Sequence, residues 1–504
     1  MRLLTAVALL LTSCAHAANP NSTYTSSEAQ VLPSDFNPPQ TFKNLNILRN
    51  INLDKGYVRE TINAIIENID KQPQSKYYLP FSNALIDKVG GLEAWEKNAE
   101  DNGRFKVERT QLLSQSSDQY FVINLPKPLE PDSRLTLSIS YYLLSALNPL
   151  PPAIEQDAKQ YFAYTFSAYA PSAYVTYAQR TKVKFPTTDI PDYTTTSGMK
   201  VGSGSDPEKQ GNTFTYGPYN TKDVTPGTIE PITVRYEFTR PIITATLLER
   251  DIEVSHWGGN LATEDRYWLQ NNGAHLAKQF SRVAWSVKTL QNAPSVAISA
   301  LRVTLKSGAV DPYFIDEIGN VSTSRFTRGQ GARASVLDIR PRYPVFGGWK
   351  YSFRIGWNID LSSFLRKATS GDTYILKVPF LDCPKMPEGL QYEKIDLRVI
   401  LPEGARGVKY ELVNGVGLPN NIQSETTLYK TYMDTVGRTV LKLSMTNVAD
   451  EARDAQLIVT YDYPFLASFR KPMAVFVGML SVFVAAWVIG NIDVSIKKSF
   501  MSLL

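Results

Sequence analysis

Apolar and polar residues alternate with a period of two along much of this chain. The pattern is clearest at Arg134–Tyr142 (RLTLSISYY), Ile232–Arg240 (ITVRYEFTR), Leu301–Lys306, Tyr351–Trp357, Lys394–Leu401, Val408–Val413, Val440–Met445 and Gln456–Tyr461. Successive side chains of a strand point to opposite faces, so each segment reads as a half-buried strand, and the intervening Pro, Gly and Asn read as turns. Many short strands of this kind predict β-sandwich modules, a mainly β chain with some α. Helical spacing is scarcer. Asn83–Asn98 and Leu361–Thr369 are the predicted helices, while Val58, Ile62, Ile65, Ile66 and Ile69 combine helical spacing with a β-branched-rich run and fit either state.

One segment breaks the pattern. Pro472–Ile492 is a run of 21 uncharged, largely apolar residues between Lys471 and Asp493. At 1.5 Å per residue it extends about 31 Å, enough to cross a hydrocarbon core of about 27–30 Å, so a transmembrane helix is predicted at 472–492. Arg470 and Lys471 on one side balance Lys497 and Lys498 on the other and do not orient it. The N-terminus does. Arg2, the apolar Leu3–Leu11 and the small-x-small Ala15-His16-Ala17 form a cleavable secretory signal over residues 1–17. The predicted protein is therefore single-pass type I, with a cytosolic tail at 493–504 too short to fold alone. Thr, Ser, Gly, Pro and Asp dominate Pro186–Pro231, which places a linker at 201–227 between luminal domains at 18–200 and 228–466. No internal repeat stands out in the residues, although two β modules of similar size are compatible with common ancestry.

With 504 residues, 43% hydrophobic and 20% charged, the composition is that of a globular protein and excludes a disordered or fibrous one. The net charge of +5 is too thin and dispersed for a nucleic-acid binder. Cys14 leaves with the signal, so the lone Cys383 has no intramolecular partner and reads as a small buried hydrophobe. Only His256 and His275 remain beyond the signal, which excludes a three-histidine metal site, and no HExxH, GxSxG or P-loop is present. No catalytic, cofactor-binding or metal residue is predicted. Two aromatic stretches stand out as structural or interaction motifs: His256 with Trp257, and Phe346, Gly347, Gly348 and Trp349, where the two glycines turn the chain into a strand. Two N-x-Ser/Thr sequons occur, at Asn21 and Asn320. Asn320 falls in a predicted surface turn and is expected to carry a glycan, whereas Asn21 lies only four residues past the cleavage site.

At several of these residues the chain resembles the ribophorin I family, a type I subunit of oligosaccharyltransferase. The resemblance is carried, in family order, by Glu253–Gly258 (EVSHWG), Phe280-Ser281-Arg282, Asp316–Ser324 (DEIGNVSTS), Pro341–Lys350 (PRYPVFGGWK), Ile400–Ala405 (ILPEGA) and Tyr432–Val440 (YMDTVGRTV), and more loosely by Tyr216-Gly217-Pro218-Tyr219 in the first domain. It implies two tandem luminal β-sandwich-like domains, similar to the non-catalytic sheet domains of zinc aminopeptidases, followed by one helix in the endoplasmic reticulum membrane. It also assigns the Val58–Ile69 run to strand. The implied function is that of a non-catalytic accessory subunit without a cofactor of its own. Such a subunit stabilises a complex that moves an oligosaccharide from a dolichyl-diphosphate carrier to Asn of N-x-Ser/Thr, and helps present nascent polypeptide. The implied partners are a separate multi-spanning catalytic subunit, which holds the divalent metal, and small membrane subunits. Animal members continue into a ribosome-associated cytosolic domain, so the twelve-residue tail looks like the fungal form. Two other classes remain: a type I cell-surface receptor or adhesion protein, and a luminal hydrolase, against which the two-histidine count weighs.

Overall fold

A computed structural model describes residues 30–492, apart from 34–35, 98–102, 113–117, 197, 202–203, 292, 332, 370, 383, 414, 416–417, 419–421 and 432–433. The signal at 1–17, Asn21, Cys383 and the tail at 493–504 lie outside the described residues.

The alternating segments pair into two tandem units, each built on a seven-stranded sheet. In the first, β1 (Phe42–Asn52), β2 (Val58–Asn68), β3 (Val89–Glu96), β4 (Arg134–Leu143), β5 (Thr176–Lys184), β6 (Glu208–Gln210) and β7 (Thr213–Asn220) lie in the order β6-β7-β5-β1-β2-β4-β3. In the second, β8 (Ile243–Ser255), β9 (Asn260–Asn271), β10 (Val310–Asp316), β11 (Lys350–Asp360), β12 (Leu390–Glu403), β13 (Gln423–Tyr429) and β14 (Arg438–Ala449) lie in the order β10-β11-β9-β8-β12-β14-β13. Read from its other edge, the second order is the first. In both sheets the first strand forms a hairpin with the second and runs parallel to the fifth, and all other neighbours are antiparallel. Smaller sheets pack against each large one and repeat in the same way. Strands 74–82, 118–129 and 106–112 of the first unit correspond in order and chain position to 301–305, 335–339 and 325–327 of the second. The two units are topological copies.

Apolar cores fill the space between the sheets. One runs from Phe42 to Ile242 and the other from Ile243 to Ala467, so the cores divide at a single peptide bond. Each core also buries an arginine on the eighth residue of its unit's first strand, paired to a carboxylate on the second: Arg49 with Glu60, and Arg250 with Asp265.

Several expectations are corrected here. The 201–227 stretch is not a free linker: β6 and β7 belong to the first sheet, and Phe214, Tyr216 and Tyr219 are buried in its core despite their turn-rich surroundings. Asn83–Asn98 is not one helix but a single turn, α1 (Asn83–Ile86), followed by β3, because pairing with β4 overrides the helical spacing of Ile86, Val89 and Leu92. Leu361–Thr369 likewise splits into a 3₁₀ turn, Leu361–Ser363, and a short strand, Leu365–Lys367. Of the Val58–Ile69 run, Val58–Asn68 is strand, as the family resemblance implied.

Helix α2 (Arg282–Leu290) begins where the Ser281 side chain accepts from the Ala284 N–H. The short α3 (Phe465–Ser468) leads into α4 (Arg470–Asn491). With 22 residues, and a mean hydropathy of 2.3 over its most apolar 18-residue stretch, α4 is long and apolar enough to cross a membrane. Pro472 falls in its first turn, where a missing N–H costs nothing.

Candidate functional site

Three of the motifs separated in sequence meet at the base of α4. The turn between β8 and β9 presents His256 and Trp257, and is closed by Gly259 at φ +60° and by the Ser255 hydroxyl, which accepts from the Gly258 N–H at 3.1 Å. The His256 ring packs between Tyr374 and Tyr463, with centroids 4.8 and 4.7 Å away, and its Nε2 lies 2.7 Å from the Tyr461 hydroxyl. Burial lowers its pKa, so the ring is neutral at neutral pH and serves as a hydrogen-bonded strut. Trp257 donates its indole N–H to the Ser468 carbonyl at 2.7 Å, tying the turn to α3.

From the second motif, Glu403 accepts the N–H groups of Thr435, Val436 and Gly437 and the Thr435 hydroxyl, which fixes the turn before β14. Gly404, at φ +97°, leaves room for the chain: a Cβ there would stand 2.8 Å from the Ala467 Cβ. The third motif supplies Asp434, a buried carboxylate 2.8 Å from the Lys471 ammonium and 3.3 Å from Arg438 Nε, which also accepts the Thr431 N–H and hydroxyl. Arg438 pairs in turn with Glu253 of the first motif.

Burial by itself would raise the Asp434 pKa, but Lys471, Thr431 and Arg438 together hold it well below the usual carboxylate range. A carboxyl lowered on folding contributes stability above its unfolded value of about 4, and that stability is lost only as pH falls through the lower folded value. The clamp is therefore expected to hold unchanged between pH 5 and 8. Asp434→Ala should cost on the order of 2 kcal/mol, because it strands Lys471 and Arg438 partly in solvent, and should raise hydrogen exchange across 463–471. Unchanged exchange there would refute the clamp.

Beside this joint a cleft of about 350 Å³ is lined by His256, Trp257, Lys367, Tyr374, Tyr463 and Phe469. It holds a histidine hydrogen-bonded to a tyrosine, and the serine among its lining residues, Ser468, donates its hydroxyl to the Phe465 carbonyl at 2.6 Å. Among the described residues no group of three or more His, Cys, Asp or Glu is placed to hold a metal.

The remaining motifs of the second unit gather around the joint between the two units. Phe346 is fully buried, with ring centroids 5.6 Å from each of Phe280, Trp285 and Trp349. This cluster also takes in Ile154 from the first unit, where residues 153–154 pair in parallel with 275–276. Gly347 is required by closeness: a Cβ would lie 2.0 Å from the Ala274 carbonyl oxygen. Gly348, at φ +79°, would bring one to 2.2 Å from the His275 ring. Arg342 pairs with Asp316 and donates to the Asn320 carbonyl at 2.9 Å, which links the sequon turn to this motif and leaves the Asn320 side chain exposed. Phe346–Trp349 therefore form an intrachain joint.

Sequence reasoning missed two residues of this joint. Asn271 donates to the Val296 and Val345 carbonyls at 2.8 and 2.9 Å and accepts from the Gly273 and Ile242 N–H groups. Gln160, from the first unit, accepts the Ala274 N–H at 2.8 Å and donates to the carbonyls of Phe238 and Arg240. Their partners lie up to 114 residues away, and nothing local marks either one. A second contact joins the units: Tyr57 and Tyr142 pack with Leu144 and Ala449, and their hydroxyls donate to Asp450 and Glu451.

The chain matches the model of the family described as Ribophorin I over residues 42–490. It is 31% identical over 463 residues to dolichyl-diphosphooligosaccharide–protein glycosyltransferase subunit 1 of Caenorhabditis elegans, covering 91% of this chain and 73% of that one. It is 29% identical to subunit 1 of Schizosaccharomyces pombe, covering 89% and 94%, and 30% identical to subunit 1B of Arabidopsis thaliana, covering 92% and 96%. Among solved structures, native yeast LTA4 hydrolase aligns at 12% identity and a TM-score of 0.25, over 44% of this chain and 31% of that one. That likeness is too low to carry an argument.

Proposed function

Because the chain belongs to the ribophorin I family, we propose that it is a non-catalytic accessory subunit of an oligosaccharyltransferase in the endoplasmic reticulum membrane. On this reading both β units stand in the lumen and α4 anchors them. The subunit holds the membrane partners in place and offers luminal surface to the acceptor chain, while a multi-spanning subunit transfers the lipid-linked oligosaccharide to Asn of N-x-Ser/Thr. The observation that carries the reading is the family match running from β1 to α4, so that it takes in both units, their joint and the apolar helix together. The chemistry agrees with it. The polar groups at 253–258, 403 and 434–438 are spent on internal joints, which suits a part whose task is to keep a fixed shape.

The deciding experiment purifies the tagged full-length protein in mild detergent, identifies what comes with it, and assays glycan transfer to an N-x-Thr peptide. Co-purification of a multi-spanning glycosyltransferase with transfer activity is expected, together with under-glycosylated acceptors on depletion. A solitary protein at the plasma membrane would overturn the reading in favour of a receptor. Luminal exposure has its own test. The exposed Asn320 should carry a glycan, so Asn320→Gln should remove one glycosidase-sensitive increment of mass. No change in mass would count against luminal placement of the second unit.

A further inference from the structure

We infer that the α4 end of the second unit is a membrane-docking surface, where Trp257, Phe465, Leu466 and Phe469 enter the headgroup region of the bilayer and hold the unit against it. This rests on α4 being a membrane span and is independent of any partner subunit.

The first support is axial register. Trp257 is bonded to the Ser468 carbonyl, five residues before Met473, where the apolar run of α4 begins after Pro472. At 1.5 Å per residue the indole lies about 7.5 Å above the hydrocarbon, and the interfacial layer on each face is about 5–8 Å deep. The second is exposure. Trp257 is 68% exposed, Phe465 71%, Leu466 81% and Phe469 43%, and the two Phe rings stand 5.0 Å apart. Four large apolar side chains together invite aggregation in water, whereas Trp at this depth matches the aromatic belt of membrane proteins and Phe and Leu suit the buried face of an interfacial segment. The indole N–H is already satisfied within the chain, so immersion leaves no donor unpaired. The third is charge. Lys367 lines the adjoining cleft, and Arg470 stands at the same level, where its long stem reaches lipid phosphates, while Lys471 is held by Asp434.

The duplication supplies the fourth. In the first unit the turn between β1 and β2 docks on its neighbour: the Gly56 N–H donates to the Glu388 carbonyl at 2.7 Å, and the Tyr57 hydroxyl to Asp450 at 2.5 Å. The equivalent turn of the second unit, residues 256–259, meets the base of α4 instead, and Trp257 projects outward from it. The same corner of the fold is thus the docking corner in both copies, and in the second it faces the bilayer.

The test uses the full-length protein, with Cys14 and Cys383 replaced by Ser, reconstituted in phosphatidylcholine vesicles and spin-labelled at one cysteine at a time. Trp257→Cys and Phe465→Cys probe the surface, Val482→Cys probes mid-span, and Val283→Cys in α2 serves as the aqueous control. Labels at 257 and 465 are expected to collide more with oxygen than with a water-soluble nickel complex, as at 482, and the reverse is expected at 283. Aqueous signals at 257 and 465 with a lipid signal at 482 would overturn the docking surface and leave the span intact. Shielding of 257 and 465 from both reagents would mean that protein covers them, and also overturns it. An aqueous signal at 482 would overturn the span and the docking surface together. The unlabelled chain provides a second measurement: shallow-brominated phosphatidylcholine should quench Trp emission less in Trp257→Phe, and equal quenching would sink the proposal.

Discussion

Gly347→Ala is expected to destabilise the joint between the two units by about 3 kcal/mol or more, lowering the unfolding midpoint by roughly 6–12 °C. The added Cβ would sit 2.0 Å from the Ala274 carbonyl oxygen and 2.5 Å from that of Gly273. Both are backbone atoms of the segment whose Ala274 N–H donates to the Gln160 side chain, so no side-chain rotation relieves the overlap. Either the 273–276 segment moves, breaking its pairing with 153–154, or the Phe346 turn moves, opening the aromatic cluster. Gly259→Ala is the control. Gly259 has φ +60° but nothing within 4 Å of a built Cβ, so only the conformational cost of about 1–2 kcal/mol applies. Calorimetry of the two variants decides the matter: a loss in Gly347→Ala no larger than that in Gly259→Ala would mean that the chain relaxes around the added methyl and that the close approach is not what makes Gly347 necessary.

Arg250→Met should cost about 3–5 kcal/mol, the price of an uncompensated buried charge. Arg250 is fully buried, with both Asp265 oxygens at 2.8–2.9 Å, Asp382 at 2.5 Å and the Trp357 ring centroid 5.8 Å away. Without the guanidinium, two carboxylates face each other at the edge of a dry core. Asp265→Asn and Asp382→Asn added to Arg250→Met should recover most of the loss, because no buried charge is then left unpaired. If the triple variant is as unstable as the single one, packing and not charge explains the effect.

The same cluster carries a pH dependence. Burial pushes the Asp265 carboxyl up, Arg250 opposes it, and the Asp382 charge adds to the rise, leaving it at about 7. A carboxyl raised on folding contributes stability that is full below its unfolded value of about 4 and is lost as pH rises through the folded one. Between pH 5 and 7 the second unit should therefore weaken, with a limiting slope of about 1.4 kcal/mol per pH unit that levels off above 7, and Asp265→Asn should flatten the curve. A flat curve in the unsubstituted protein would show that the carboxyl stays ionised.

How far the residues announced this structure depends on what holds each segment. Arg134–Tyr142 and Gln456–Tyr461 were legible as strands because each alternates between a core face and a second face, a constraint every residue feels locally. Asn83–Asn98 misled because Ile86, Val89 and Leu92 fall at helical spacing while the partner strand, β4, lies some forty residues on. Helix α2 was overlooked, although the Ser281 cap and the spacing of Val283, Val287 and Leu290 were there to be read. At the candidate site His256, Trp257 and the Phe346–Trp349 turn were singled out from the sequence, but Asp434, Asn271 and Gln160 were not. Their hydrogen-bond capacity is visible in a sequence, and their partners are not.

By itself the sequence determined the mainly β character, the apolar segment at 472–492 and the family, since alternation, hydropathy and runs of motif residues are properties of neighbouring positions. Only the tertiary structure decided that the two units are copies of one strand order, that their cores part between Ile242 and Ile243, and that motifs at 253–258, 400–405 and 432–440 converge on α4. The physical reason is the same in each case. Strand order, shared cores and ion-paired joints are fixed by contacts between residues far apart in the chain, which form only when the sheets have closed around their apolar faces.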